Sequence, residues 1–431
     1  MKIRELELRN FRGIKYLKLD FNEKSTVLFG INGVGKSSVL RSVDLLYANI
    51  IGKLLNRSRK LAELSEEDIF YGMSKASIKA IFRFPSGEEF EYFRYISKLS
   101  GKRQSASLNK LISYFEEQYI TKKYEDSEGN LIIPEDKKNM PIFVNYGVNR
   151  LVVDIPLETT KQTEYMKLSA FDKAIESRID FNALFEWFRM REDLENQEKV
   201  RLNIQHEDRD LKAVRTAMLA MLDGFEHIHV ERQPLRMLIE KEGITLSLNQ
   251  LSDGEKCTLA LFGDLARRMA IANPVLEDPL KGSGVVLIDE LELHMHTQWQ
   301  RKVLGALQKT FPNIQFIITT HSPQILGEVN QVYQIISLKK QEGRVELCSY
   351  QSLYGWDSNA ILEEAMDTDS LTEEVKGLIR QMFDALKNKE YESAERSADR
   401  IDEITRGRNT STAKVRVLIH RGRRNDRDQK E

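Results

Sequence analysis

Apolar and polar residues alternate near the start of the chain, in residues 6–8 and again in residues 17–21. Because successive side chains of a strand point to opposite faces, these two runs predict a β-hairpin. A short apolar run at residues 25–29 predicts a third strand, which ends at Gly30. Apolar residues then recur at three- and four-residue spacing over residues 39–50, and this period predicts an amphipathic helix.

Farther along, the pattern changes twice. Residues 285–288 and 316–318 are short, uninterrupted apolar runs of the kind that parallel sheets bury on both faces. The chain becomes helical again after about residue 358 and loosens toward its last residues. Residues 167–224 have a helical period and many charges, which predicts an inserted helical segment with an apolar face formed by Phe181, Leu184, Phe185 and Phe188.

Composition narrows the class of protein. The chain has 431 residues, of which 41% are hydrophobic, so it can bury a large core. Its 65 basic and 66 acidic residues give a net charge of −1, which excludes a uniformly basic coat for nucleic acid. Two cysteines, Cys257 and Cys348, exclude a disulfide framework and a four-cysteine zinc site. We find no signal peptide and no membrane-spanning run, and we expect a soluble, cytoplasmic protein.

Residues 30–37 have the sequence Gly-Ile-Asn-Gly-Val-Gly-Lys-Ser, which fits the phosphate-binding pattern GxxxxGK[ST]. The glycines let main-chain N–H groups surround phosphate oxygens; we expect Lys36 to reach the β and γ phosphates and the Ser37 hydroxyl to ligate Mg²⁺. A predicted strand before the pattern and a predicted helix after it favour this interpretation over an ordinary glycine-rich turn. We also assign four neighbours to nucleotide binding: Asn32, Gly33, Gly35 and Ser38.

An acidic pair, Asp289 and Glu290, directly follows the buried run at residues 285–288. An acid at the carboxyl end of a parallel strand points into the crevice where ligands bind. We expect Asp289 to hold Mg²⁺ and Glu290 to polarise the attacking water. Acidic residues often end strands, so the pair alone is weak evidence for a site. The phosphate-binding pattern elsewhere in the chain is what favours the functional interpretation.

The segment Leu251-Ser252-Asp253-Gly254-Glu255 resembles the LSGGE/LSDGE signature of ABC-type ATPases. Ser252 and the Gly254 main chain offer small donors at a predicted helix start, which suits a γ-phosphate, and we place Glu255 in the same site. The alternative is a helix cap, in which Ser252 and Glu255 form a capping box. The two interpretations are compatible.

His321 ends the predicted strand at residues 315–320 and fits the switch histidine that contacts γ-phosphate in ABC ATPases. A lone histidine is more often structural, and the acidic pair is what favours the functional role. His294 and His296 look like a metal pair, but no third ligand accompanies them, and we favour a loop without metal.

Together these motifs resemble the SMC/RecF branch of the ABC ATPases over residues 1–345. Asn10-Phe11-Arg12-Gly13 matches the N-terminal element of that branch, in which the arginine, here Arg12, approaches the nucleotide phosphates. Residues 289–296 resemble the DEPExHLHP element common in bacterial defence ATPases, with Leu291, and Thr297 directly after the stretch, in place of prolines. Residues 320–323 resemble the THSP switch of the same ATPases. Residues 145–150, Asn-Tyr-Gly-Val-Asn-Arg, are similar to a YYGTNR stretch of bacterial defence ATPases.

The resemblance implies an α/β fold, an ABC-type P-loop NTPase head with a mixed sheet and an antiparallel β lobe. It implies ATP and Mg²⁺ as cofactors. We expect an N-terminal ATPase lobe at residues 1–160, a helical insertion at 161–229, a C-terminal ATPase lobe at 230–350 and a helical, basic extension for partner docking at 351–431.

A narrower resemblance is to the short ATPases of Septu-type (PtuA) and retron-associated anti-phage systems. It rests on the compact length and on Leu353-Tyr354-Gly355-Trp356-Asp357 and Ile361-Leu362-Glu363-Glu364. It implies an ATPase that dimerises around ATP and regulates a separately encoded HNH-type (PtuB-like) nuclease, with nucleic acid as a further ligand. The chain has no evident nuclease site of its own, and we interpret Asp367-Thr368-Asp369 as a helix-capping turn.

Two other functions compete with this one. The first is a RecF-like DNA-repair ATPase without a nuclease partner, and the second is a transporter subunit, which the N-terminal element and the long spacing between Lys36 and Leu251 disfavour. The last 26 residues, 406–431, carry nine basic and three acidic residues. They are either a solvated terminus or a docking segment, in which alternation at Val415, Val417 and Ile419 would suit a short strand.

Overall fold

The computed structural model describes residues 1–55, 63–99, 101–104, 107–121, 124–125, 131–132, 138–150, 165–202, 205–341, 344–369, 371–407 and 409–428. They divide into two compact units, residues 1–361 and residues 362–431. Among the described residues, no helix has both the length and the apolar character needed to cross a bilayer.

The strands of the first unit are β1 (Lys2–Phe11), β2 (Ile14–Asp20), β3 (Ser25–Phe29), β4 (Lys75–Arg83), β5 (Glu89–Ser97), β6 (Gly101–Gln104), β7 (Tyr124–Glu125), β8 (Leu131–Ile132), β9 (Ile142–Tyr146), β10 (Phe225–Arg232), β11 (Leu235–Lys241), β12 (Ile244–Ser247), β13 (Gly284–Ile288), β14 (Ile314–Thr319), β15 (Tyr333–Gln341) and β16 (Arg344–Ser349). Its helices are α1 (Lys36–Leu54), α2 (Ser107–Tyr119), α3 (Phe181–Leu202), α4 (Arg209–Leu219), α5 (Asp253–Ala272), α6 (Thr297–Thr310), α7 (Pro323–Leu326) and α8 (Ser358–Ala360).

A six-stranded sheet in the order β16-β15-β3-β14-β13-β9 forms the centre of this unit. Every pair is parallel except β15 and β16. Strands β13 and β14 are buried along their whole length, as the uninterrupted apolar runs predicted. Since β3, β13 and β14 run in the same direction, their carboxyl ends meet at one edge of the sheet. That edge therefore collects residues 30–37, the acidic pair and the residues after β14.

An antiparallel lobe in the order β2-β1-β4-β5-β6 lies beside this sheet. The predicted hairpin is confirmed, with Leu6 opposite Leu19 in the β1–β2 register. Helix α1 connects the lobe and the sheet through Tyr47, which stacks on Phe143 of β9 at 3.7 Å between ring centroids and meets Phe82 of β4 edge-on at 5.4 Å. The predicted α/β fold with a mixed sheet and an antiparallel lobe is confirmed.

A helical layer built from α3, α4 and α5 covers the sheet near β9. The four predicted apolar residues of α3 are buried: Phe181, Leu184, Phe185 and Phe188. Asp264 of α5 is fully buried and accepts hydrogen bonds from Arg267 (2.7 Å), Arg268 (2.8 Å) and the Tyr146 hydroxyl (2.8 Å). Burial alone would raise the pKa of Asp264, but Arg268 and Arg267 outweigh it and lower the pKa to about 2. This network fixes α5 to the last residue of β9.

The second unit is a bundle of α9 (Glu373–Lys387), α10 (Tyr391–Thr405) and α11 (Thr410–Asp428). The alternative of a short strand at Val415, Val417 and Ile419 is wrong, because the segment is helical. Val415 and Ile419 are four residues apart on one face of α11 and are buried in the core of the bundle, whereas Val417 is 53% exposed. The expectation that the chain loosens toward its end is also wrong as far as residue 428, because this helix continues to there.

Two further expectations for this unit change. The Asp367–Asp369 stretch does not cap a helix, because Thr372 is the N-cap residue of α9 and Asp369 is ion-paired with Lys376. The basic residues of α11 are partly neutralised within the bundle. Arg416 contacts Asp399 (2.7 Å) and Asp402 (2.8 Å), and Arg423 contacts Glu395 (2.7 Å).

Candidate functional site

The loop at residues 30–35 joins β3 to α1 and has the backbone shape that a phosphate site needs. Gly33 (φ 77°) and Gly35 (φ 117°) are left-handed, a conformation that side chains disfavour. A Cβ added at Gly30 would lie 2.3 Å from the main-chain oxygen of Leu338, so only glycine fits there. The first turn of α1 contains no acidic residue, which leaves its N-terminal dipole available to an anion. Asn32 is exposed on the loop, and Ser38 is half-buried in that first turn.

The Lys36 side chain folds back over this loop. Its Nζ donates hydrogen bonds to the main-chain oxygens of Gly30 (2.9 Å) and Ile31 (3.2 Å), and the residue is 6% exposed. Burial lowers the pKa of Lys36, against the opposing effect of Asp289 and Glu290. Among the described residues, the Lys36 ammonium hydrogen-bonds only to these two neutral carbonyls. A buried ammonium held in this way gains from an anionic partner, so the loop fits the phosphates of a nucleotide.

Asp289 follows β13 at the same edge of the sheet. Its Oδ1 lies 3.5 Å from the Ser37 hydroxyl and accepts a hydrogen bond from the Thr319 hydroxyl at 2.5 Å. A carboxylate and a hydroxyl at this spacing offer the hard oxygen ligands that Mg²⁺ prefers, usually together with water and substrate phosphate. Ser37 and Asp289 therefore fit a Mg²⁺ ion, and they would hold it beside the phosphate loop.

Glu290 adopts a left-handed backbone conformation with φ 48°. Its N–H donates to the Thr319 hydroxyl at 2.8 Å, and its carbonyl accepts a hydrogen bond from Arg150. Non-glycine residues rarely adopt this conformation, and where they do the surroundings hold it. The turn at Glu290 is thus fixed from both sides.

His321 follows β14 and is held by a residue that the sequence did not single out. Glu292 accepts hydrogen bonds from the His321 N–H (Oε1, 2.6 Å) and from the Thr320 hydroxyl (Oε2, 2.8 Å). Burial, and after it the charge of Lys36, lowers the pKa of His321, which favours the neutral imidazole. The switch segment is therefore tied to the turn that follows the acidic pair.

The signature segment forms the N-terminus of α5. Ser252 and Glu255 make the capping box that the alternative interpretation predicted: the Ser252 N–H and hydroxyl both donate to Glu255 Oε2, at 2.8 and 2.7 Å. Glu255 also pairs with Lys241 at 2.7 Å. A Cβ at Gly254 would lie 2.3 Å from the main-chain oxygen of His294, so α5 approaches the loop after the acidic pair at a point where only glycine fits.

Not all predicted residues come together. Within the described residues, no hydrogen bond joins Ser252, Gly254 or Glu255 to the phosphate loop. Ser252 is exposed. Arg12, whose side chain is 43% exposed, donates from Nε to Asp68 at 3.0 Å. Its approach to phosphate stays a prediction.

His296 has a structural role, because it is the N-cap residue of α6 and its Nδ1 accepts a hydrogen bond from the Gln298 N–H at 3.4 Å. The part of the chain that the structure describes contains no group of three metal-ligating side chains.

Three residues of this edge were missed as site residues: Glu292, Thr319 and Arg150. Glu292 and Arg150 lie in the two stretches that resemble defence ATPases, but nothing in their local pattern indicates what they contact. Thr319 ends a strand whose register against β13 places its hydroxyl beside Asp289 and Glu290. Its role therefore depends on the pairing of distant strands.

Comparison with known proteins places this geometry in a family. A family model described as an AAA domain matches residues 5–223, about half of the chain. The chain belongs to the AAA domain family. A second model, described as an AAA domain, putative AbiEii toxin of a type IV toxin–antitoxin system, matches residues 161–327.

Individual relatives agree with this assignment. The chain is 28% identical over 396 residues to the probable ATPase of retron Ec83 from Escherichia coli. The aligned region covers 77% of this chain and 70% of that protein. It is 24% identical over 383 residues to the Septu protein PtuA of Bacillus thuringiensis, with 85% of this chain and 84% of that protein covered. The predicted resemblance to SMC/RecF-like, retron-associated and Septu ATPases is confirmed.

The fold has a counterpart among solved structures. The Smc head domain from Pyrococcus furiosus, with an extended coiled coil and bound to the C-terminal domain of ScpA, superposes with a TM-score of 0.50 at 16% identity. The match covers 82% of this chain and 96% of that one. This AAA-domain protein therefore has an SMC-head fold.

Proposed function

We propose that this protein is a Mg²⁺-dependent ATPase that hydrolyses ATP between two copies of the chain and thereby controls a partner nuclease of the HNH type in anti-phage defence. One observation carries the enzymatic part of the proposal. The Lys36 loop, Ser37, Asp289, Glu290 and His321 come from distant parts of the sequence and meet at one edge of the parallel sheet. Such an edge is where α/β sheets bind ligands.

ATP binding follows from the loop. The N–H groups of residues 30–35 and of the first turn of α1 would donate to the phosphate oxygens, and Lys36 would exchange its two carbonyl partners for the β and γ phosphates. Ser37 and Asp289 would hold Mg²⁺, which neutralises phosphate charge when it is bound. The loop and the carboxylate thus give the terminal phosphate a defined position.

Hydrolysis requires a water molecule in line with the bond that breaks. Glu290 is the carboxylate suited to accept a proton from that water as its oxygen bonds to the γ-phosphorus and the bond to the β-phosphate oxygen breaks. The products are ADP and inorganic phosphate. Neutral His321 can donate a hydrogen bond to a γ-phosphate oxygen, and Glu292 keeps the main chain of His321 in place.

The signature supports an arrangement of two copies. Ser252 is exposed at the start of α5 and makes its hydrogen bonds to Glu255, within its own cap. In the described residues it makes no hydrogen bond to the phosphate loop of its own chain. A second copy, related by a two-fold axis, would bring its own Ser252 and Gly254 to the γ-phosphate, and the same contact would form twice.

Relatives support the defence role and the partner. The chain is similar over most of its length to a retron ATPase and to Septu PtuA. We propose that the second unit docks a PtuB-like HNH nuclease and that nucleic acid is a ligand of the assembly. Co-purification with the proteins encoded beside it tests this part: an HNH nuclease in a stable complex supports the proposal, whereas a chain that purifies alone and binds DNA favours a RecF-like role.

Nucleotide binding is tested with Lys36→Ala, with Lys53→Ala at the other end of the same helix as the matched control. Loss of a charged phosphate contact worth about 1.5–3 kcal/mol should weaken ATP binding about tenfold or more. Calorimetry should show this loss for Lys36→Ala and unchanged affinity for Lys53→Ala. Equal affinities in the two variants would refute the phosphate-loop assignment.

The roles of Glu290 and Ser252 are separable. Glu290→Gln keeps the shape of the side chain but removes the proton acceptor, so it should bind ATP, stop hydrolysis and accumulate an ATP-bound dimer. Adding Ser252→Arg should abolish that dimer without abolishing ATP binding, and Ser252→Thr, which keeps the cap hydroxyl, should retain it. Size-exclusion chromatography with light scattering and ATP present measures all three variants. A Glu290→Gln/Ser252→Arg protein that still dimerises with ATP would contradict the two-copy site.

A further inference from the structure

A buried arginine, Arg150, lies behind the acidic pair. It is 1% exposed. Its Nη1 donates to the main-chain oxygens of Gly147 (3.0 Å) and Asp289 (2.5 Å), and its Nη2 donates to the main-chain oxygen of Glu290. One guanidinium group thus contacts the carbonyl groups of both residues of the acidic pair and the turn after β9.

The chemistry of these contacts requires arginine. Burial lowers the pKa of Arg150, and among the described residues no carboxylate lies within ion-pair distance of its guanidinium group. The charge is instead balanced by the oxygen ends of peptide dipoles. A planar guanidinium group presents several N–H donors in a fixed arrangement and can reach separate carbonyls at once, whereas a lysine ammonium is a single point.

We propose that Arg150 is a positioning residue for Glu290, an inference that rests on the proposed ATPase function. Glu290 has a left-handed backbone conformation (φ 48°), which a non-glycine residue keeps only where its surroundings hold it. Thr319 holds the N–H of Glu290, and Arg150 holds the carbonyls of Asp289 and Glu290. Because the N–H and the carbonyl of Glu290 are both hydrogen-bonded, the backbone that carries its carboxylate is held in one position.

The main chain of Arg150 is itself fixed from the other side. Cys257, which is buried in α5, donates from Sγ to the Arg150 carbonyl at 3.9 Å. Cys257 lies little more than one turn after Ser252, at the start of the same helix. We call the hydrogen bonds from Arg150 to the carbonyls of Asp289 and Glu290 the clamp. Through Cys257, the clamp is linked to the helix that begins with the signature segment.

The test compares Arg150→Lys with Arg94→Lys in the full chain. Arg94 is the matched control, because it is a buried arginine that donates to a main-chain oxygen, that of Leu45 at 2.5 Å, away from the site. In Arg150→Lys, kcat should fall by about 100-fold, the loss typical of a catalytic group displaced by about 1 Å, while KM and calorimetric ATP affinity stay unchanged. Arg94→Lys should keep kcat.

A second measurement needs no ATP. The amides of Glu290 and Leu291 both donate to Thr319. In nucleotide-free Arg150→Lys these two amides should exchange faster than in the wild-type protein, whereas in Arg94→Lys their exchange should not change. If Arg150→Lys does not fold, Cys257→Ala replaces it. That variant loosens the main chain of Arg150 and should give a smaller fall in kcat in the same direction.

The outcomes separate this inference from the proposed function. If the wild-type chain hydrolyses ATP and Arg150→Lys matches it in kcat and in amide protection, Arg150 does not position Glu290. If ATP binding and kcat fall together, the residue supports the whole fold and the inference is wrong. If the wild-type chain does not hydrolyse ATP, the proposed function fails, and the exchange comparison alone decides whether the clamp holds the turn.

Discussion

Replacing Glu292 tests whether the switch segment depends on the turn after the acidic pair. In the structure its two carboxylate oxygens accept hydrogen bonds from the His321 N–H at 2.6 Å and the Thr320 hydroxyl at 2.8 Å. Glu292→Gln keeps the size of the side chain and one acceptor oxygen. It removes the charge and turns the second oxygen into a donor that faces the Thr320 hydroxyl.

The magnitude follows from the type of bond. A hydrogen bond to a charged group contributes about 1.5–3 kcal/mol and a neutral one about 1 kcal/mol, so two weakened bonds amount to roughly 1–4 kcal/mol. Because Glu292 is partly exposed, we expect the lower end of that range. A loss of about 1–2 kcal/mol raises the population of the undocked switch by roughly 5- to 30-fold.

Hydrogen exchange and ATPase kinetics measure the effect. The amide of His321 should exchange faster by up to that factor, and kcat should fall, while calorimetric ATP affinity stays near the wild-type value because the Lys36 loop is unchanged. Glu328→Gln is the matched control, since Glu328 pairs with Arg301 at 3.4 Å on the surface, a contact worth at most about 1 kcal/mol. Wild-type exchange at His321 in the Glu292→Gln protein would refute the argument.

Three further predictions come from other parts of the molecule. Gly254→Ala places a Cβ 2.3 Å from the His294 oxygen, so it should displace the start of α5 and reduce ATP-dependent dimerisation in light scattering, whereas ATP affinity should not change. The pKa of Asp264 is lowered to about 2 from 3.8, so its ionisation contributes on the order of 2 kcal/mol of stability above pH 4, which is lost as the pH falls toward 2. Thermal unfolding of Asp264→Asn should lack this acid dependence. At pH 7 the variant should lose about 3–5 kcal/mol of unfolding free energy. Deleting residues 414–431 removes Val415 and Ile419 from the core of the second unit, so this unit should become protease-sensitive, and a resistant unit would contradict the packing.

Local motifs were predictable because their geometry lies within a few residues. The strand, the glycine loop and the helix that starts at Lys36 follow one another directly, and the acidic pair directly follows an apolar run. Short alternation was less reliable. Val415, Val417 and Ile419 suggested a strand, but residues four apart also share a helix face, and burial of Val415 and Ile419 in the bundle decided between the two.

The supporting contacts could not be predicted, because they depend on which strands become neighbours. Thr319 reaches Asp289 only because β14 pairs with β13, and Arg150 reaches the acidic pair only because β9 lies on the other side of β13. No local pattern in the sequence contains that order. The capping box at Ser252, by contrast, was predicted from spacing alone and is present.

The position of β3 in the sheet has a consequence for how the protein is made. The strand that leads into the phosphate loop pairs with β14 and β15, and Leu28 and Thr319, which lie opposite each other, are separated by about 290 residues. At 5–20 residues per second, a ribosome needs roughly 15–60 seconds to make that stretch. During this time β3 is not paired with β14 or β15. The proposed affinity for ATP should therefore appear in nascent chains only after β15 has left the ribosome.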